Sequence, residues 1–559
     1  MTRISRQAGL VAVAVLTAAC AAGRDLGDRT PPRAGTEPSQ IAPAELLADT
    51  NALSDDALEG RAPGSVGDRR AREILASRLA AAGAEPGFDG SWEQPFDIVG
   101  VTTHLPALWG FRSAGGREGS FRLRDDFIGA SGLQSPEVSI ENAEVVFGGY
   151  GIRAPEERWD DFKDADLGGK LLLLLNDDPD WDPGLFAGER KLFYGRWTYK
   201  FESAARAGAA GAILIHTTPS AGYPWDVVLN SWSGEQFALP AGDAPRVPLQ
   251  MWMTEAAASR LVALSGRDLA SLVASARSRE FRPVPLGVTT SIRAVCEIRK
   301  ARTANVAGFL RGSDPAKSRD FVVLTAHHDH LGVGSSDERG DRIYNGALDN
   351  SVAMAQVLAI ARRLAAMPRP PARSFLLLFP AAEEQGLLGS SYFARSGRIP
   401  PARIAADINF ELGNVWGRTR DVVVFGMGKS TLEDTLSRVA KAQGRTVHPE
   451  KDVRAGWFYR SDGFSFARAG VPAIWFRSGT DVAGKPPGWG DEAWDAWIRT
   501  RYHRPSDEVS ADWDLEGLAE DARLGLSLAI AVGDAATPPA WYPGDEFESQ
   551  RRRSLAAGD

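Results

Sequence analysis

Apolar residues along this chain gather into short continuous runs separated by stretches of helical spacing. The runs fall at 145–147, 170–175, 211–215, 247–251, 321–325, 374–379, 404–410, 422–425 and 473–476. Runs of this length without polar alternation predict strands buried on both faces. Between them, apolar positions three and four residues apart predict helices over 201–210, 254–264, 351–365, 432–443 and 515–532. An earlier helix is predicted over 68–82, with Ala71, Ile74, Leu75, Leu79 and Ala82 on one face and Gly83 to end it. Strands alternating with helices predict an α/β fold, a three-layer α/β/α sandwich around a mostly parallel sheet. The pattern occurs twice, in a smaller module at 141–280 and in a larger unit that resumes at 303–310.

Length and composition refine this outline. The chain has 559 residues, too many for one hydrophobic core. Its 43% hydrophobic and 24% charged content is that of an ordinary globular protein. The formal net charge is -8, and no basic run of the kind nucleic-acid binding requires is present. Arg3 and Arg6 precede an apolar run over 8–19, too short to span a bilayer, which reads as an export signal. It ends in Leu16-Thr17-Ala18-Ala19-Cys20, small residues before a cysteine, resembling a bacterial lipoprotein signal with Cys20 as the lipidated residue; Thr17 stands where leucine is usual. The expectation is a protein exported to the periplasm or anchored in the outer membrane through lipid, with no other membrane contact. Cys296 is then left without a disulfide partner. The expected division is a signal at 1–20, a flexible tether at 21–43, a first part of the larger unit at 44–140, the module at 141–280, the rest of the larger unit at 281–535, and a disordered tail at 536–559.

The candidate chemistry lies in the larger unit. Ala326-His327-His328-Asp329-His330-Leu331-Gly332 follows the run at 321–325, and holds three of the seven histidines. Ligand sites in open α/β sheets lie at the carboxyl ends of strands. Four further stretches follow strands or lie in loops: Gly346-Ala347-Leu348-Asp349-Asn350, Glu383-Glu384, Asn409-Phe410-Glu411 and Tyr502-His503. Any one of them alone reads as a solvated polar loop; together they offer the nitrogen and carboxylate ligands that zinc takes. Two histidines and three carboxylates exceed one tetrahedral site and point to two metals sharing a ligand. In Glu383-Glu384, one carboxylate can bind metal while its neighbour stays free as a general base.

These stretches, with Ser461-Asp462-Gly463-Phe464-Ser465-Phe466 and Tyr502-His503-Arg504-Pro505-Ser506-Asp507, resemble the M28 metallopeptidases, dizinc aminopeptidases and glutamate-carboxypeptidase-like enzymes. The resemblance covers about 303–532. It implies two zinc ions, with His327 on one, Asp349 bridging, Glu384 on the other, and Glu411 and His503 completing the two sets. It implies Glu383 as general base, Asp329 orienting His327, and Tyr502 assisting at the oxyanion. Glu411 stands where the family usually has Asp, and is preferred over the nearby Asp407. His328 and His330 are read as loop residues. The module resembles a protease-associated domain through Val146-Phe147-Gly148-Gly149-Tyr150-Gly151, Asp166-Leu167-Gly168-Gly169-Lys170-Leu171 and Ala204-Ala205-Arg206-Ala207-Gly208-Ala209-Ala210-Gly211-Ala212. Trp181, Trp197, Trp225 and Trp232 are read as groove-lining or core residues, and Trp489, Trp494 and Trp497 as a pocket wall. The implied function is a zinc exopeptidase, an aminopeptidase before a carboxypeptidase or dipeptidase, acting on a peptide or amino-acyl amide. The alternative of another class is a receptor-like binding protein that has lost catalysis.

Overall fold

The computed structural model describes residues 40–558. The export signal, Cys20 and the tether up to residue 39 lie outside the described residues. The larger unit is built on eight strands: β1 (Glu93–His104), β2 (Val284–Leu310), β3 (Phe321–Thr325), β4 (Ser374–Phe379), β5 (Ile404–Asn409), β6 (Asp421–Phe425), β7 (Thr446–Pro449) and β8 (Ala473–Ser478). They lie in the order β1-β2-β4-β3-β5-β8-β6-β7. The central pairs β4–β3, β3–β5 and β5–β8 are parallel, while β2 and β6 join antiparallel. The sheet is therefore open, mixed and mostly parallel, as the alternation of runs and helices predicts.

Successive residues of a strand face opposite sides, and here both sides are buried. Val322 and Leu324 of β3, with Phe375, Leu377 and Phe379 of β4, pack into a core covered by helices Pro43–Leu53, Val66–Ala81, Val352–Ala365 and Glu516–Asp534. Val323, Leu376 and Leu378 face the other layer, with Phe393 and Phe466 from helices Leu388–Arg395 and Gly463–Arg468. Continuous apolar runs are what such strands need.

The module has its own cores. Strands Leu171–Leu175, Gly211–His216 and Leu249–Thr254 run parallel. Leu171, Leu173, Ile213 and Ile215 face one core, and Leu172, Leu174, Ala212 and Leu214 the other. Trp109, Phe111, Phe121 and Phe127 pack into the first of these, although the sequence boundary assigns them to the larger unit. Trp197 and Trp232 pack at the second module core, and Trp181 against the first. β2 joins the two units: its first half pairs with Glu137–Phe147 of the module, its last half with β1 and β4. The sequence reading starts this element only at residue 303.

The tail expected to be disordered is folded. Trp541 and Phe547 are buried, Trp541 Nε1 donates to the Gly470 carbonyl at 2.9 Å, and a helix occupies Glu548–Gly558. The cause is a few apolar anchors and long-range polar contacts that a Pro- and charge-rich average hides. Among the described residues, no helix is long and apolar enough to cross a membrane. Cys296 is buried and free.

Candidate metal centre

The side chains singled out by the sequence converge at the carboxyl ends of three adjacent strands. His327 and Asp329 follow β3, Glu383 and Glu384 follow β4, and Glu411 follows β5. Asp349 lies in the turn that leads into helix Val352–Ala365, and His503 follows helix Trp489–Thr500. Three backbone positions here adopt left-handed conformations despite carrying side chains: Ala382 before Glu383 (φ 57°), Leu412 after Glu411 (φ 57°) and His503 itself (φ 55°). Such conformations cost free energy and persist where the surrounding fold imposes them. Here they aim ligand-type side chains inward.

Asp349 is the centre of the constellation. Its Oδ1 is 3.4 Å from His327 Nε2, and its Oδ2 is 3.3 Å from His503 Nε2. His503 Nε2 is also 3.2 Å from Glu384 Oε2, yet this buried nitrogen has no hydrogen-bond partner. Glu383 Oε2 lies 3.9 Å from His327 Nε2. Glu411 is within the electrostatic reach of His327 and Asp349, and its carboxylate accepts from Asn409 Nδ2 at 3.4 Å. Asp407, the other candidate in that strand, is turned into the sheet, where Thr325 Oγ1 donates to it at 3.0 Å. The Tyr502 ring stacks on His503 with centroids 3.9 Å apart, and Trp497 backs it at 5.5 Å.

The structure adds detail to three of the sequence expectations. His330 lies in a loop, as read, and is fully buried there, with Nδ1 2.7 Å from Glu384 Oε1. His330, Asp349 and Glu384 form a group whose ligand atoms are close enough to hold one cation. His328 is also buried, with Nε2 3.0 Å from Asp68 Oδ1 and Nδ1 3.1 Å from the Phe379 carbonyl oxygen. The Asp329 carboxylate stands 3.9 Å from His327 Nδ1, while it accepts the backbone N–H groups of Glu383 at 3.0 Å and Glu384 at 3.3 Å. Asp329 therefore holds the Glu383-Glu384 turn more directly than it orients the imidazole.

Two residues to which the sequence reading gave no role hold the loops. Arg61, with no exposed surface, donates to the carbonyls of Leu53, His328, Asn345 and Gly346, and so ties the His327 loop to the Asp349 loop. Asp507 accepts from the N–H groups of Leu348 at 3.1 Å and Asp349 at 3.0 Å. The signal for Arg61 was Gly60 before it. A β-carbon on Gly60 would stand 2.4 Å from the Gly332 carbonyl oxygen, so only glycine lets this turn reach the histidine loop.

The electrostatics suit cations. Burial pushes the carboxyls of Glu383 and Glu411 well above the usual range; His327 opposes this for both, and neighbouring carboxylates add to it. Burial would raise Glu384 too, but His503 and His330 hold it at about 2. Burial would lower His503, but Glu384 and Asp349 lift it to about 10. Buried carboxylates in excess, a histidine nitrogen without a hydrogen-bond partner, and one aspartate facing two histidines are the donor set that divalent cations satisfy.

Residues 305–526 match the model of peptidase family M28. The vacuolar membrane proteases of Verticillium alfalfae and Botryotinia fuckeliana are 29% and 25% identical to this chain, over 42% and 40% of it. The chain spans 19% of the length of each of these relatives. Among solved structures, an aminopeptidase from Aneurinibacillus sp. strain AM-1 aligns over 90% of this chain and 95% of its own, with 18% identity and a TM-score of 0.49. A peptidase M28 precursor from Shewanella amazonensis aligns over 89% and 97%, with 16% identity and a TM-score of 0.40.

Proposed function

From a chain whose residues 305–526 form a domain of peptidase family M28, we infer a zinc-dependent exopeptidase, an aminopeptidase in the first instance. The observation that carries this is Asp349, whose two oxygens face two different histidines, His327 and His503. That arrangement supports a bridging role. His327 and Glu411 would complete one metal's set, and Glu384 and His503 the other. His330 fixes Glu384 through its 2.7 Å contact. Two zinc ions held there supply Lewis-acid polarisation of a carbonyl and a lower pKa for water.

The rest of the chemistry falls to the chain. Glu383 takes a proton from the attacking water onto its carboxylate, and delivers it to the nitrogen of the leaving amine as the C–N bond breaks. Its carboxyl is raised by burial, which brings a base toward neutral pH. Asp329 keeps Glu383 in place through the backbone bond at 3.0 Å. Tyr502 stays protonated, because burial and then Asp349 and Glu384 push its hydroxyl well above the ordinary tyrosine value. It thus keeps an O–H to donate, suited to the oxyanion of a tetrahedral intermediate.

Metal analysis together with hydrolysis, on wild type and Glu383→Gln, tests this reading with free and N-blocked peptides. Two zinc ions in both proteins, with turnover in wild type alone and on free amino termini alone, is the expected result. Turnover on blocked peptides moves the assignment to a carboxypeptidase or endopeptidase. Absence of bound metal overturns it in favour of a receptor-like binding protein. Small residues before Cys20 support a lipid anchor for an exported protein; Cys20→Ser should then abolish labelling by a palmitate analogue. The module, by its resemblance to protease-associated domains, is proposed to screen access to the site.

A further inference from the structure

The turn between β4 and helix Leu388–Arg395 carries both Glu383 and Glu384, and its backbone is held against its own preferences. Ala382 (φ 57°) and Leu387 (φ 60°) are left-handed despite their side chains, a conformation that persists where the surrounding fold imposes it. Within the turn, the N–H groups of Gly386 and Leu387 donate to the Glu383 carbonyl at 2.8 and 2.9 Å. At its neck, Leu388 N–H donates to the Ala382 carbonyl at 3.0 Å, and Gly389 N–H to the Ala381 carbonyl at 2.9 Å. These bonds fix the shape of the turn, but not where it stands on the sheet.

That place is set by Asn305, fully buried on β2, whose single amide meets both ends of the neck. Its Oδ1 accepts from Ala381 N–H at 3.0 Å, and its Nδ2 donates to the Gly389 carbonyl at 2.9 Å. Nδ2 also donates to Gln94 Oε1 at 2.9 Å, and Gln94 is the cross-strand partner of Asn305 on β1. The amide can be oriented only one way here, because an N–H faces Oδ1 and two carbonyl oxygens face Nδ2. The fit is close: a β-carbon on Gly389 would lie 2.3 Å from Asn305 Oδ1 and 2.3 Å from the Ala381 carbonyl oxygen. Ala381, Ala382 and Leu388 belong to one buried cluster with Phe96 and Ile98 of β1. Asp329 thus holds the acidic pair by its N–H groups, and Asn305 holds the foot of the turn that bears it.

We propose that Asn305, backed by Gln94, is a positioning residue: by anchoring this turn it sets where the Glu383 carboxylate stands. The inference rests on the reading of Glu383 as general base. The position needs an acceptor and two donors together. Ionised aspartate supplies acceptors only, and leucine keeps the bulk with neither. A turn freed at its foot carries Glu383 with it, and a misplacement of about 1 Å costs on the order of a hundredfold in rate.

The test joins steady-state hydrolysis of a peptide with a free amino terminus, at saturating zinc, to hydrogen exchange. The proteins are wild type, Asn305→Asp, Asn305→Leu and Gln94→Met. Gln356→Leu is the control: it removes another buried amide, one that donates to the Leu518 carbonyl at 3.1 Å and not to the turn. The expected result is a kcat lower by about ten- to hundredfold in both Asn305 variants, with KM within about twofold of wild type. Gln94→Met should show a smaller fall of the same kind, and Gln356→Leu none. Exchange at the amides of 386–389 should rise about tenfold or more in the Asn305 variants, with β5 at the wild-type rate. If Asn305→Leu does not fold, Asn305→Asp and Gln94→Met carry the test. An unchanged kcat, a loss carried by KM, or an equal loss in Gln356→Leu overturns the proposal. If wild type hydrolyses no peptide, exchange still reads the anchor. A rise confined to the turn then supports Asn305 as its anchor while the peptidase reading fails; unchanged exchange overturns it.

Discussion

At the residue scale, much of the site is held by groups that never meet substrate. Arg61 satisfies four carbonyls with one guanidinium. Its replacement by Met leaves those oxygens buried and unpaired, at about 1–3 kcal/mol each where no water enters. The expected outcome for Arg61→Met is a loss of about 3 kcal/mol or more in denaturant unfolding, with lower zinc content after gel filtration. Asp68 gives a pH-dependent counterpart. Burial alone would raise its carboxyl, but the bond with His328, its charge and Arg72 together hold the carboxyl below the ordinary value. A depressed folded pKa means stability that is present above the unfolded value near 4 and is lost as pH falls through the folded one. Asp68→Asn should therefore be destabilised by about 3 kcal/mol at pH 6, and the gap to wild type should shrink in unfolding measured below pH 4. Histidines and carboxylates at strand ends were legible in the sequence because the chemistry requires those types. Arg61, Asp68 and Asp507 were not, since their partners are backbone groups or lie more than a hundred residues away.

At the element scale, the short apolar runs located the central strands closely: 321–325 and 374–379 agree with the observed limits. β2 was read only from residue 303, although Leu286, Val288, Thr290, Ile292, Ala294 and Cys296 alternate as buried positions before it. Alternation there marks a strand with one face covered, a different texture from the runs beside it. The final segment was misread for another reason. Its Glu546 carboxylate accepts from Lys429 Nζ at 2.7 Å, Tyr459 Oη at 2.6 Å and the Phe193 N–H at 3.1 Å. These partners lie on the peptidase unit, on its segment Trp457–Arg460 and on the module, and none is visible as a local pattern. Glu546→Ala should speed hydrogen exchange at 193–195 and 457–460 together, while exchange in β3 and β4 stays at the wild-type rate.

At the scale of the whole molecule, two sets of cores share the long strand β2 and further contacts such as the pairing of β1 with Glu235–Ala238, and the candidate metals bear on only one of them. A ligand that binds the folded state stabilises by an amount set by its concentration over Kd, about 4 kcal/mol at a thousandfold excess. Chelation should therefore lower the calorimetric transition of the peptidase unit and leave the module's transition in place; equal shifts in both would show that the units unfold as one. The seam at Arg61 has a further consequence. Arg61 and His328 are 267 residues apart in the chain, and His503 follows later still. Ribosomes deliver these groups in order, so a nascent polypeptide lacks part of the hydrolytic centre until its last ligand has emerged. In each chain the proposed centre can therefore assemble only after His503 has been made: the interval between first and last essential group acts as a clock written into the gene.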